Sequence, residues 1–359
     1  HDYYESVYKA QDSITESLEE LGRYDELKPR VYGVGHSHID MAWLWRLNAT
    51  REKASRTFST VLNLMKQYPE YKFMHSSPQL YKFLEEDHPE IFASVKERIQ
   101  SGEWEITGGM WVESDTYIPS GESLVRQFLH GKNYIKETFD KETHLLWLPD
   151  VFGYSGALPQ IIKKSGLSYF MTTKISWNEY NHFPYDTFMW EGIDGSQVLT
   201  HFITTPENGS WFYTYNGKMS PDDIQGVWKN YKDKDINDRL LIAYGWGDGG
   251  GGPTREMLES MRVMKNLPGV PYVETSGAEE YFDNLNAHLD KDNIRKWVGE
   301  LYFEYHRGTL TSQAKNKRYN RKSEILLHNI EASSVLLQSL DPNFVYPKDI
   351  MDSMWERVL

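Results

Sequence analysis

The sequence predicts an α/β fold, with a largely parallel sheet covered by helices that gives way to helix alone toward the carboxyl end. Three observations predict it. Short apolar, β-rich runs alternate with longer helical patterns, about seven times, in a β-then-α order. From residue 311 to 359 only helical spacing remains, with Ile325, Leu326, Ile330, Val335, Leu336 and Leu340 as apolar positions of the start of a helical bundle. A length of 359 residues accommodates two or three ordinary domains, or one large α/β barrel with additions, and excludes a small stapled module.

In chain order, residues 1–29 read as a charged helical lead-in without an apolar run of signal-peptide or membrane-spanning length. The expected protein is therefore soluble and cytoplasmic. Strands are expected at 31–35, 71–75, 104–107, 145–148, 169–172, 198–202 and 240–243. That order suits an incomplete or seven-stranded barrel as well as an open sheet. Two helix starts carry physical signals: Ser220 as N-cap with Pro221 in the first turn, and Ser276 with Glu279 as a capping box.

Composition narrows the chemistry. With no cysteine, disulfides, thiolate-bound metal and a Cys nucleophile are excluded, so any metal takes His, carboxylate or water ligands. Lys plus Arg number 39 against 52 Asp plus Glu, a net charge of −13 without a basic block, which speaks against nucleic acid as a partner. Tyr (24), Phe (15) and Trp (12) exceed what core packing usually needs, so some are expected to line a site.

Ligands of α/β folds bind at the carboxyl ends of strands. The first strand runs directly into His36, His38 and Asp40, which at period two can face one cavity, and imidazole with carboxylate is a good zinc pair. Trp43 and Trp45 follow. Pro149 and Gly153 bracket Asp150 at the end of the fourth strand, placing a carboxylate rigidly at the mouth. After the seventh strand a glycine run carries Asp248 beside Trp246; it lacks the GxxxxGK[ST] order and reads as backbone that hugs a ligand, not as a phosphate loop. Two further stretches, 109–115 with Trp111, Glu113 and Asp115, and 304–309 with His306 and Arg307, mix aromatics with charged groups as sugar sites do. His75, His201 and His328 read as structural or surface residues.

These segments together resemble the family 38 glycoside hydrolases, the zinc-dependent retaining α-mannosidases, in their cytosolic and vacuolar-type branch. The resemblance rests on GHSHIDMAWLW (35–45), GGMWVESD (108–115), WLPDVFGYSGALPQI (147–161), TFMWEGIDGS (187–196), YGWGDGGGGPT (244–254) and GELYFEYHRGTLTSQA (299–314). It implies a seven-stranded, mostly parallel (β/α) barrel-like catalytic domain over 30–308, followed by a helical bundle beginning at 309–359. It implies zinc ligands at His38, Asp40 and Asp150, with Asp150 also the nucleophile, and Phe152 packed on the bound sugar. Asp248 is the candidate acid/base, although the Golgi branch carries two adjacent aspartates where this chain has Asp248 and Gly249. Trp43, Trp111, Trp246, His306 and Arg307 are the remaining candidates for binding an α-mannoside. The family's fourth ligand, a His in a QFHD-like motif, is expected after residues resembling 354–359, so this chain is expected to hold three of the four ligands and to bind zinc poorly alone.

Two other classes fit part of the pattern. A metal-dependent amidohydrolase or deacetylase also places a His-rich motif after a barrel strand and would draw on His75 and His201. A non-catalytic sugar-binding domain would keep the aromatic lining without turnover.

Overall fold

The computed structural model describes residues 2–22, 29–265 and 267–359; residues 1 and 23–28 of the expected lead-in lie outside the described residues. In chain order the elements are α1 (Asp2–Gly22), β1 (Arg30–Gly35), α2 (Leu47–Met65), β2 (Phe73–His75), α3 (Pro78–Asp87), α4 (Pro89–Ser101), β3 (Trp104–Ile106), α5 (Gly121–Phe139), β4 (Leu145–Trp147), α6 (Leu158–Lys164) and β5 (Tyr169–Thr172). There follow β6 (Thr187–Glu191), β7 (Gln197–Phe202), α7 (Pro221–Asn230), β8 (Arg239–Tyr244), α8 (Arg255–Met264), β9 (Tyr272–Thr275), α9 (Ala278–His288), β10 (Arg295–Val298), α10 (Ala314–Leu340) and α11 (Lys348–Val358).

The α/β class is as expected, but the strands of the described residues do not form a closed seven-stranded barrel. They form two five-stranded sheets, one ordered β3-β2-β1-β8 with β9 also on β1, the other ordered β10-β6-β7-β5-β4. All seven expected strands are present, and β6, β9 and β10 are additional. β6 escaped the β-then-α reading because it pairs antiparallel with β7 through a tight turn, where Asp194 accepts the N–H of Ser196. All other pairings are parallel, as in β1 against β8 from Arg30↔Arg239 to Gly35↔Tyr244. The inner faces of both sheets share one core, with Val34, Met74 and Leu241 from the first against Leu145, Met171 and Leu199 from the second. At one seam Thr107 and Thr143 hydroxyls meet at 2.8 Å; at the other Gly217, beyond β7, bonds Ala243 O and accepts from Gly245 N.

Local signals fared unequally. Ser220 caps α7 as expected, accepting the N–H of Asp223. The expected box on Ser276 and Glu279 is shifted by one residue: Gly277 is the N-cap, and Glu280 reaches back to its N–H at 3.2 Å. Glu279 instead takes the Thr107 hydroxyl and the His144 N–H.

The helical tail docks through polar groups. Glu324 of α10 accepts Ser120 N and Ser123 Oγ at the start of α5, and Arg126 of α5 pairs with Glu331 while lying 4.3 Å from the Trp355 ring of α11. Consequently the six apolar positions expected to form the bundle interior are exposed, while Leu327, Met351 and Trp355 form the small core between α10 and α11. No helix of the described residues is long and apolar enough to cross a membrane.

Candidate active site

The loops leaving β1, β3, β4, β5, β7 and β8 converge at the carboxyl ends of the strands. β1 stops at Gly35, whose position leaves no room for a side chain: a Cβ there would lie 2.6 Å from Lys72 O. His36, whose N–H still bonds Tyr244 O just beyond the strand, does not join His38 and Asp40 at the cavity as the period-two spacing predicts. His36 is buried, and its Nε2 accepts the Trp147 indole N–H at 3.2 Å. Burial, aided by the neighbouring His75 and His38, keeps its ring well below the usual histidine range, and His36 is not part of the metal-capable group among the described residues.

His38 does face a cavity, one of about 360 Å³ that it lines with Asp40, Glu113 and Asp150. Its Nε2 lies 3.2 Å from Asp40 Oδ1 and 3.8 Å from Asp150 Oδ2, and its Nδ1 lies 3.1 Å from Glu113 Oε2. Burial opposes its charge, but Glu113, Asp40 and Asp150 together outweigh burial and raise the imidazole well above its ordinary range. Ligand atoms of His38, Asp150 and Asp248 lie within 4.8 Å of one another. An imidazole nitrogen surrounded by carboxylate oxygens, without thiolate, is a donor set suited to zinc, and its surplus negative charge is what a divalent cation balances. Among the described residues the group that meets at this distance is His38, Asp150 and Asp248; Asp40 reaches His38 but is not part of it.

Asp150 follows β4 and meets Lys174, which follows β5. Lys174 Nζ lies 2.6 Å from Asp150 Oδ1 with its side chain almost wholly buried, and it also covers the Trp177 ring at 3.6 Å. Asp248 sits in the left-handed region at φ +54°, in a loop pinned by paired bonds between Trp246 and Gly252 and by Gly247 N on Asn216 Oδ1 at 2.8 Å. Tyr215, from the segment after β7, donates its hydroxyl to Asp248 Oδ1.

A cavity of about 810 Å³ opens over these groups, lined by Asp40, Asp150, Asp248 and Lys174 and by the aromatic rings of Trp43, Phe152, Trp177 and His306. His306 meets Phe152 edge-on at 5.3 Å; burial and the Lys174 ammonium lower its basicity. Arg307 lies in an adjoining cavity of about 290 Å³ that shares Phe152 and His306. Trp246 is half-exposed with Lys218 over its ring at 5.7 Å, beside the lining and not in it. Trp111 is 1% exposed, its indole N–H bonded to Gln79 and its ring against Tyr134, so it is a core residue. Sequence reasoning missed Lys174, Trp177 and Tyr215. The position of Lys174 just past β5 was the available signal; nothing local marks Tyr215.

The rival amidohydrolase reading loses its extra ligands. His75 bonds Ser76 O through Nδ1, and His201 bonds Thr187 through Nδ1 in a core with Tyr281. Neither joins the metal-capable group found among the described residues.

Comparison with known proteins agrees with this arrangement. Residues 28–300 match the family described as "Glycosyl hydrolases family 38 N-terminal domain", and residues 304–359 match "Alpha mannosidase middle domain". Alpha-mannosidase G of Dictyostelium discoideum is 45% identical over 93% of this chain and 30% of its own length, and alpha-mannosidase of Saccharomyces cerevisiae is 42% identical over 97% and 32%. The chain thus spans about a third of the length of these relatives. In fold it is similar to the crystal structure of an alpha-mannosidase from Enterococcus faecalis, with TM-score 0.73 and 22% identity over 92% of this chain and 38% of that one. A match covering most of the chain, in agreement with the carboxylates and imidazole gathered at the strand ends, means that this chain belongs to family 38 of the glycosyl hydrolases.

Proposed function

We propose that this chain carries the catalytic site of a zinc-dependent retaining α-mannosidase that removes terminal mannose from an α-mannoside, either a glycan or a mannosylated small molecule. The observation that carries the reading is the approach of Asp150 and Asp248, whose oxygens come within 4.8 Å of each other beside His38. Retaining glycosidases place their carboxyl groups about 5 to 5.5 Å apart, whereas inverting ones leave a wider gap for water. The names of the relatives support mannose as the sugar.

In this proposal Asp150 attacks the anomeric carbon as the bond to the leaving oxygen breaks, and Asp248 delivers its proton to that oxygen. Asp248 then takes a proton from the water that attacks the same carbon, and Asp150 departs as a carboxylate. Asp40, 3.2 Å from His38 Nε2, is assigned as the third ligand with His38 and Asp150, which leaves Asp248, held by the Tyr215 hydroxyl, as the acid. Bound zinc would supply Lewis-acid charge to neighbouring sugar hydroxyls. Lys174 steadies the charge of Asp150, while Phe152, Trp43 and Trp177 offer ring faces to the sugar's C–H patches. The proposal includes the division into lead-in 1–29, catalytic domain 30–308 and bundle start 309–359, with β1–β5, β7 and β8 as an open-seamed, barrel-like scaffold, and a cytoplasmic location.

Trapping with 5-fluoro-mannosyl fluoride tests it. The expected result is a covalent mannosyl ester on Asp150, with α-mannose as the first product by NMR. A label on another residue, or β-mannose as first product, overturns the mechanism. Asp150→Asn separates a lectin from an enzyme: a sugar-binding domain has no turnover to lose.

A further inference from the structure

We propose that Glu113 is the positioning residue of the candidate metal centre: its Oε2 takes the Nδ1 proton of His38 and so commits Nε2 to the ion. The inference deepens the zinc reading above and rests on it. Sequence reasoning marked the stretch containing Glu113 only as site-like, without a role.

A neutral imidazole has one N–H and one lone pair, so the group that holds the proton on one nitrogen decides what the other can do. His38 turns Nε2 toward Asp150 and toward Asp40, with which it is in hydrogen-bond contact at 3.2 Å, and turns Nδ1 toward Glu113, so Asp40 and Glu113 compete for the one proton of the neutral ring. Nδ1 and Glu113 Oε2 are both buried and lie 3.1 Å apart, yet as placed they do not form a hydrogen bond with each other or with any other group among the described residues. Two unpaired polar atoms this close need only a small rotation of either side chain for one shared proton to satisfy both. With the proton on Nδ1, the lone pair of Nε2 faces the carboxylates that complete the donor set. A carboxylate behind a ligating imidazole fixes its tautomer and raises its basicity.

Glu113 is itself held in place. Ser76, just beyond β2, donates its hydroxyl to Glu113 Oε1 at 2.5 Å, leaving Oε2 for His38. Gln127 of α5 holds the backbone of the two preceding residues, accepting Trp111 N on its carbonyl and Val112 N on its side chain at 2.8 and 2.9 Å. Ser76 comes this near only because Gly108 lacks a side chain, since a Cβ there would stand 2.8 Å from that of Ser76. The segments after β1, β2 and β3 therefore meet at one carboxylate, which lines a cavity of about 360 Å³ with His38, Asp40 and Asp150, beside the cavity of about 810 Å³.

The test compares wild type with Glu113→Gln, which keeps the shape, and Glu113→Ala. Zinc affinity is measured by competition with a chelator, and the His38 ring is read by long-range ¹H–¹⁵N correlation in metal-free protein at alkaline pH. The expected loss of zinc affinity is about tenfold for Gln and up to about a hundredfold for Ala. The wild-type ring is expected to carry its proton on Nδ1 and to lose that preference in both variants. Equal zinc affinity in all three proteins, or a wild-type ring protonated on Nε2, overturns the assignment. A wild type that takes up no zinc while its ring is protonated on Nδ1 defeats the metal reading and supports the hold of Glu113 on His38.

Discussion

Lys174 Nζ lies 2.6 Å from Asp150 Oδ1, while the oxygen of Asp150 that faces His38 Nε2, at 3.8 Å, is Oδ2. The two oxygens of one carboxylate thus have separate partners, a fixed ammonium and the ligand group. Replacing Lys174 by Met removes a charge from the oxygen of Asp150, the proposed nucleophile, that does not face His38, and leaves the aromatic lining in place. The expected outcome on an aryl α-mannoside is a kcat lower by about a hundredfold with KM little changed, as for an interaction made chiefly in the transition state. Lys174→Arg should recover part of the loss, and a fall in kcat/KM carried by KM alone would count against this role.

Asp248 offers a second separation. A lost proton donor matters most when the leaving group is poor, so Asp248→Ala should slow alkyl mannosides by about 10² to 10⁴-fold and dinitrophenyl mannoside far less. Tyr215→Phe should show the same leaving-group bias in weaker form, because it removes the hydroxyl that holds Asp248 Oδ1. Equal losses on both substrates would remove Asp248 from the acid role.

The tryptophans assigned to sugar binding divide by burial. Trp111→Ala empties a core site and should cost about 3 to 5 kcal/mol in urea unfolding. Trp43, 62% exposed at the cavity wall, should change stability little when replaced by Ala and raise KM instead.

Gly108 adopts φ +96°, and an added Cβ meets Ser76. Gly108→Ala should therefore destabilise the fold by about 2 kcal/mol or more, measured by the shift in urea midpoint, from strain and displacement together.

Acid sensitivity follows from buried neutral histidines. Burial lowers His201 from 6.5 to about 3. The folded state resists a proton that the unfolded chain accepts, so this contribution to stability is full above pH 6.5 and is lost as pH falls toward about 3. His75, lowered by burial to about 4, acts with the same sign. Urea midpoints should decline over that window, by up to about 1.4 kcal/mol per pH unit for each such group, and His201→Gln should make the decline shallower.

What could be read in advance was local or motif-borne. The seven expected strands are apolar runs with clear boundaries, and Asp150 was visible because Pro149 and Gly153 frame it at a strand end. β9 and β10 were not, since each sits beside a single partner strand and β10 alternates half-buried with exposed positions. Lys174 and Tyr215 act on carboxylates 24 and 33 residues away, and spacing along the chain does not encode an approach made only by the parallel sheet. Trp111 was misplaced because an aromatic beside Glu113 and Asp115 looks like a sugar platform when its backbone direction is unknown. The apolar residues of α10 were misplaced because helical spacing identifies a stripe without saying which way it turns, and here Glu324 and Glu331 face α5 instead.

His38, Asp40 and Asp248 leave strands of one sheet, whereas Asp150 and Lys174 leave strands of the other, and the seams between the sheets carry few backbone bonds. An ion gripped by His38, Asp40 and Asp150 would act as a rivet across that divide. Its removal should loosen the two halves relative to each other before either half melts, so amides flanking the seams should exchange faster with solvent while the strand interiors stay protected. Catalytic alignment and the mechanical closure of the scaffold would then have a single point of failure.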